Sequence, residues 1–377
     1  MGENYPKVRV AVVQGTPAFL DREASTQKAS TFIAEAGQKG IDLLAFPEGF
    51  IPAHPVWYHF QPATGKQSHR LATELFKNSV EIPSPITEVL CQAAAKANVN
   101  VVMGLCEKRP KTTGTMFNTQ LFIDRRGRIL GKHQKLMPTV GERLVHTGGY
   151  GDSLKVFEMD IGRVSGLICG ENSNPLAIFA MAAQGAQIHV ASWPHHFSRG
   201  EHRMVDVVTF ATRSLSYKCS CFVLNACGTI TQKMREVLPY VDEDRAFLEN
   251  PENGGGSSII GANSMIVAGP MSGCEEGLLV ADIDLEDCVK AKLVHDYSGH
   301  YNRPDIFTLT INTSVPKIFQ SAGTGEPLPC QEDLTSLASD EPNIGKGSLK
   351  NLKSTSGVED EKGSRKKKKK ANRPRLV

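Results

Sequence analysis

The chain has 377 residues, 40% hydrophobic and 22% charged, with 34 Gly and 21 Pro spread along it; this is the composition of a compact globule with a sizeable core, not of a fibre or a coiled coil. No window approaches the roughly 18 consecutive apolar residues of a membrane span, and the start MGENYPKVRV lacks a signal peptide's apolar stretch, so a cytoplasmic protein is expected. Net charge is +3, but residues 321–377 hold 12 Lys+Arg against 8 Asp+Glu, which leaves residues 1–320 slightly acidic and without the basic balance of a nucleic-acid-binding body.

In chain order, VRVAVVQ (8–14) reads as a strand, a polar helix follows around 21–39, and IDLLAFPE (41–48) reads as the next strand. TEVLCQAAAKAN (87–98) has helical spacing ahead of the strand VNVVMGLCEKR (99–109), and TQLFIDRRGRILGKHQ (119–134) reads as two strands around an Arg126-Gly127 turn. The theme continues with RVSGLICG (163–170), a helix through 174–184, QIHVASWP (187–194), a helix near 201–217 and CSCFVLNACG (219–228). SSIIGANSMIVAGP (257–270) and GLLVADIDLEDC (277–288) read as a further hairpin pair. Such alternation predicts one layered α/β domain over 1–319, with no internal repeat. Over 320–377 Ser, Gly, Pro and charged residues take over, up to the run Lys366–Lys370. That composition predicts a disordered basic tail, which serves solubility, targeting or contact with a polyanion.

The nine cysteines (91, 106, 169, 219, 221, 227, 274, 288 and 330) are odd in number and lie mostly in apolar runs, so reduced thiols are expected. Cys219-Ser220-Cys221 is too tightly spaced for a zinc pair and reads as strand core. His195 and His196, adjacent on an extended segment, point to opposite faces and do not suit one metal site. No metal and no organic cofactor is expected.

Cys169 closes the apolar strand VSGLI, and a helix opens near Ser173-Asn174-Pro175. A helix N-terminus offers free N–H donors and partial positive charge, which favour a thiolate and a developing oxyanion. The other reading of the same segment is one more buried apolar thiol. Gly170 beside it leaves room for a substrate. Glu48 ends a strand, where ligands gather in α/β sheets, and partial burial there raises a carboxyl pKa toward that of a general base. Lys135 likewise ends a strand beside a turn.

Taken together, FPEGF, HQKLMPT and ICGEN, with Glu48, Lys135 and Cys169 spaced 87 and 34 residues apart, resemble the nitrilase branch of the carbon–nitrogen hydrolase superfamily. VRVAVVQ, GERLVH (141–146), ASWP (191–194) and GHYNRPDIF (299–307) extend the resemblance over nearly all of 7–319. It implies an αββα sandwich, paired in a homodimer as αββααββα and extending into larger oligomers or spirals. It also implies roles: Glu48 as general base, Lys135 as stabiliser of developing charge, Cys169 as nucleophile, and Glu142 as the second glutamate that orients the lysine and water. The substrate implied is a small nitrile, with GHYNRPDIF favouring that branch over amidases and carbamoylases, which remain the nearest alternative; a non-catalytic scaffold relying on the basic tail is the next. Many nitrilases carry Trp after the nucleophile, so Gly170 implies a smaller pocket wall here. Trp57, Tyr58, Trp193 and His195 are candidates for the rest of that wall, and aromatic walls suit aryl or arylalkyl nitriles.

Overall fold

Runs of Val, Ile, Leu and Ala build two six-stranded mixed sheets in a computed structural model that describes residues 3–318 apart from Ser198 and Glu201; the expected tail lies outside the described residues. The first sheet takes β1 (Lys7–Gln14), β2 (Leu43–Ala45), β3 (Asn100–Lys108), β4 (Met116–Ile123) and β5 (Ile129–Gln134). The second takes β6 (Phe157–Met159), β7 (Gly162–Ile168), β8 (Ile188–Trp193), β9 (Phe222–Cys227), β10 (Ser258–Ile260) and β11 (Ile266–Ala268). The last strand, β12 (Gly277–Asp284), returns to the first sheet and runs antiparallel to β1. The orders are β12-β1-β2-β3-β4-β5 and β6-β7-β8-β9-β10-β11.

Each sheet therefore has the same plan: an antiparallel edge strand, three parallel strands, then two antiparallel ones. This is a repeat of topology that the sequence does not display, because any β-branched or aliphatic residue can fill a covered strand. Of the expected hairpin pair, 257–270 forms the antiparallel β10–β11 hairpin, whereas 277–288 does not join it and that part is corrected. Turn punctuation is local, whereas β12 finds its partner at the far end of the chain, and Glu286 already starts a helix.

Between the sheets, Val8, Val10, Val12, Val102 and Phe122 meet Val164, Ile188, Val190 and Leu224 in one fully buried cluster. Burying each such side chain stabilises the fold by about 1.5–3 kcal/mol. Opposite faces are covered by helices, which is why β3 and β4 read as continuous apolar runs rather than alternating ones. On the first sheet lies α1 (Arg22–Gln38), capped by the Asp21 carboxylate on the Ala24 N–H and burying Ala29, Ile33 and Ala36 at helical spacing. Helix α2 (Lys66–Asn78) seats Leu71 and Leu75 beside Trp57, and α3 (Pro85–Ala97) starts on a Ser84–Thr87 capping box and packs with α1. The second sheet is covered by α4 (Pro175–Ala183), which opens on Asn174 and Pro175, and by α5 (Met204–Cys219). Short helices α6 (Gln232–Val237) and α7 (Asp242–Glu249) and the final α8 (Glu286–Val294) complete the layers. The result is the expected αββα sandwich.

Cys219 closes α5, Ser220 turns the chain at φ 51°, and Cys221 precedes β9, so this pair sits at a helix-to-strand junction and not within a strand. The eight described cysteines carry free thiols. Among the described residues no helix is long and apolar enough to cross a membrane.

Candidate active site

Glu48 lies three residues beyond β2, on a segment pinned to both sheets. Phe46 N–H donates to Val102 O (2.9 Å), and Glu48 N–H donates to Trp193 O at the end of β8 (3.0 Å). The segment can sit this low only because residue 104 is glycine: a Cβ there would stand 1.9 Å from the Pro47 carbonyl oxygen. Lys135 follows β5 and donates its backbone N–H to Asn118 O on β4 (2.8 Å). Glu142 sits in the helical turn Val140–Leu144, where its carboxylate accepts the Thr139 N–H (2.8 Å). These three side chains and Asn118 are all at most 1% exposed.

Their polar atoms form a closed ring. Lys135 Nζ donates to Glu48 Oε1 (2.8 Å) and Glu142 Oε2 (2.6 Å), while Asn118 Nδ2 donates to Glu48 Oε1 (2.6 Å) and Glu142 Oε1 (2.8 Å). His146 adds a ring N–H to Glu142 Oε1 at 3.0 Å; the acceptor-only carboxylate fixes that nitrogen as the donor. Glu142 thus accepts four hydrogen bonds. Glu48 accepts two, both on Oε1, and its Oε2 has no partner among the described residues.

This asymmetry sets the two carboxyls apart. Burial raises both, but Lys135 and His146 overcome it at Glu142, which is held well below the usual carboxylate range. At Glu48 burial prevails over Lys135, the neighbouring Glu142 charge adds to it, and the carboxyl is raised to about 7. Burial works against the Lys135 ammonium, but the Glu48 and Glu142 carboxylates outweigh it and keep the lysine charged well above its ordinary value. One anionic and one titrating carboxyl around a permanent ammonium is how a site separates a supporting group from a general base. Glu48, His54 and Glu142 also offer ligand-type atoms within 4.8 Å of one another; the cation between the two carboxylates is the Lys135 ammonium.

Cys169 follows β7 at φ +53°, a left-handed conformation that is strained for a non-glycine residue and presents its side chain at a sharp elbow. Glu171 holds the elbow to the Lys135 segment by accepting from Ile168 N–H (3.0 Å), Leu136 N–H (2.7 Å) and the His133 ring (3.0 Å). Cys169 is within electrostatic reach of Glu48, Lys135 and Glu142. The expectation that the helix N-terminus lowers this thiol's pKa is corrected: burial first, and then the Glu48 and Glu142 charges, push the thiol far above its ordinary range, while Lys135 and the Gly170 N–H pull it down less. Helix-terminus chemistry was readable from sequence; the burial of the thiol was not.

The candidate wall residues divide. Tyr58 comes to the site, where its hydroxyl meets His54 Nε2 (3.1 Å) and the ring nitrogen Nδ1 of His54 lies 3.4 Å from Glu48 Oε1. Gly170 faces open space, for a Cβ there would meet only Thr139 Oγ1, at 3.5 Å. His195 is fully buried, and both ring nitrogens lack a partner among the described residues. Burial holds its ring neutral, with a pKa of about 3. Trp57 and Trp193 are both buried: Trp57 beside Leu71 and Leu75, and Trp193 in the cluster that also holds Cys169, against Phe197 and with its indole N–H donated to Asn225 Oδ1 (3.0 Å). Interior and pocket aromatics look alike in a sequence. Asn118, His54 and His146 were not foreseen, since an Asn inside a strand and His residues in loops carry no motif of their own.

The Carbon-nitrogen hydrolase family model matches residues 9–293. Nitrilase 2 of an unknown prokaryotic organism is 38% identical over 315 residues, covering 83% of this chain and 95% of that protein. A nitrilase of Bacillus sp. (strain OxB-1) is 34% identical over 85% of this chain and 92% of its own length. Among solved structures, the NitFhit protein of C. elegans superposes with a TM-score of 0.61 at 21% identity, over 87% of this chain and 72% of that one, a likeness of fold. Matched along most of its length by the family and by nitrilases, the chain belongs to the carbon–nitrogen hydrolase family, in its nitrilase branch.

Proposed function

We propose that this protein hydrolyses a nitrile to the carboxylic acid and ammonia through a covalent intermediate on Cys169. The observation that carries the proposal is the buried ring in which Lys135 joins an anionic Glu142 to a titrating Glu48, beside the strained Cys169 elbow. Because the thiol is held protonated, proton transfer accompanies attack. Glu48 accepts the S–H proton through its free Oε2 as sulfur bonds to the nitrile carbon, and returns it to the nitrogen, which gives a thioimidate. Lys135 and the Gly170 N–H stabilise the charge that develops. Water then adds to carbon, losing a proton to Glu48. That proton passes to nitrogen; as the C=O bond forms the hydroxyl proton follows it by way of Glu48, the C–N bond breaks and ammonia leaves as the thioester is formed. A second water hydrolyses the thioester, releasing the acid and restoring the thiol. The balance is one nitrile and two waters to one acid and one ammonia.

An aryl or arylaliphatic substrate fits best. Tyr58 supplies an aromatic face at the site, Gly170 leaves room, and the neighbouring loop exposes Met137 (52%) and Val140 (81%). We read 1–319 as the catalytic body and place it in the cytoplasm, whose reducing conditions suit the free thiols. Two copies pair through the helices flanking the nucleophile, where Leu176 of α4 (63%) and Phe210 of α5 (79%) stand exposed. Ammonia release from matched panels of aliphatic, aryl and arylaceto-nitriles and the corresponding amides tests the substrate class. Arylacetonitriles should be turned over fastest; amides faster than every nitrile would make it an amidase.

A further inference from the structure

We infer that Asn118 is a positioning residue for this reaction: the two hydrogens of its carboxamide, one given to each glutamate, hold Glu48 and Glu142 in place around the Lys135 ammonium. The inference rests on the role proposed above for Glu48. Asn118 is 1% exposed, donates from one nitrogen at 2.6 Å to Glu48 and 2.8 Å to Glu142, and accepts the Lys135 backbone N–H on its own carbonyl at 2.8 Å. It therefore touches three of the four groups of the site. The amide cannot be turned over, because both neighbours are acceptors and only the nitrogen has hydrogens to give. Its Oδ1 is left buried with no partner among the described residues, so the two carboxylates dictate the orientation.

Asn is disfavoured within strands, and here it is placed on β4. Other side chains do not fit this task. Ser and Thr have one hydrogen and a shorter reach, and Asp has at most one hydrogen and brings a third carboxyl. Two carboxylates sharing a single ammonium repel each other, and a second bridge opposite Lys135 keeps them apart at fixed distance. By tying Glu48 Oε1, the same bridge leaves Oε2, which has no partner among the described residues, as the oxygen free to accept a proton.

The groups that face Glu48 are Lys135, Glu142, His54, Tyr58, Cys106 and Cys169. Facing Glu142 from the other side are His146 and His59. Of all these only Lys135 gives the Glu48 carboxylate a hydrogen bond, so removing Asn118 leaves that anion with one donor. Glu48 then binds its proton more tightly, and the pH at which it becomes a base moves up.

The test compares Asn118→Ala and the near-isosteric Asn118→Asp with wild type in two measurements. One is kcat/KM against pH; the other is the rate of Cys169 alkylation by iodoacetamide against pH, followed by peptide mass spectrometry with the exposed Cys274 as internal reference. At neutral pH kcat/KM should fall about 100-fold, as expected for misplaced catalytic groups. The acid limb of both profiles should move up by about one pH unit, with Cys274 unchanged. If both variants keep the wild-type pH profiles, whatever their rates or melting temperatures, Asn118 merely packs β4 and the inference is overturned. Should Asn118→Ala not fold, Asn118→Asp decides alone. The alkylation profile needs no substrate, so a wild type inactive on nitriles would sink the proposed function without touching this result.

Discussion

The first sheet and the second share one strand order, yet the first delivers Glu48, Asn118 and Lys135 while the second delivers only Cys169. The difference follows from what each group needs. Charges with under 2% exposure must be neutralised by neighbours within hydrogen-bond reach, so the two carboxylates, the ammonium and the amide are gathered where β2, β4 and β5 end or pass. Cys169 carries no resting charge to be neutralised; it is buried on a sharp turn that the end of β7 supplies through a left-handed residue. Glu48 joins the two halves, since its backbone hangs from Trp193 of the second sheet and its side chain belongs to the ring of the first.

The sharpest way to break this division is to remove its shared cation. Lys135→Ala leaves Glu48 and Glu142 facing each other in the interior. It should abolish measurable turnover and destabilise the fold by about 3–5 kcal/mol, the usual effect of breaking a buried ion pair; urea titration and ammonia release would read both. A Lys135→Ala enzyme with near-normal stability would mean that the ring is wetter than its burial says.

A smaller effect separates the sheets by their glycines. Gly104→Ala places a methyl group against the Pro47 carbonyl and should displace Glu48, lowering kcat about 10- to 100-fold. Gly166→Ala in β7 meets the Gln120 side chain, 2.4 Å from its Oε1, and a side chain can move where backbone cannot. It should affect stability more than rate, by about 1–3 kcal/mol. Equal losses of kcat in the two variants would erase the distinction.

The pH dependence is smaller again and has a defined sign. In the proposed mechanism Glu48 accepts the thiol proton as a carboxylate, and its carboxyl is raised to about 7. Activity should therefore rise with pH through about 7 and fall about tenfold per unit below it. A limb near 4.5, the unshifted glutamate value, would place the general base elsewhere. The least effect is expected from deleting 345–377, which should leave kcat/KM unchanged if the tail is an appendage to the catalytic body; lost hydrolysis would make it part of the enzyme.

Much of this is legible in the sequence. Asn174 and Pro175 announce their helix, and Gly127 marks the turn between β4 and β5 at φ 77°, whereas the Ser84–Thr87 capping box starts its helix two residues before the helical spacing begins. Glu48, Lys135, Glu142 and Cys169 stood out because each closes an apolar run or lies in a motif. What stayed hidden depends on partners distant in sequence. Asn118 looks like any strand residue until Glu48, 70 positions away, is seen on its nitrogen. The thiol direction reversed because it depends on burial and on two carboxylates from other segments. Trp193 gave no sign that Asn225 would take its N–H.

The central claim is that Cys169 carries the substrate and that the ring of Glu48, Lys135 and Glu142 serves it. Rapid acid quenching of enzyme mixed with an arylacetonitrile, followed by mass spectrometry of the Cys169 peptide, tests it most directly. The account predicts an adduct of substrate mass on Cys169, absent from a folded and inactive Cys169→Ala variant. Turnover retained by that variant, or an adduct on another residue with Cys169 unmodified, would contradict it.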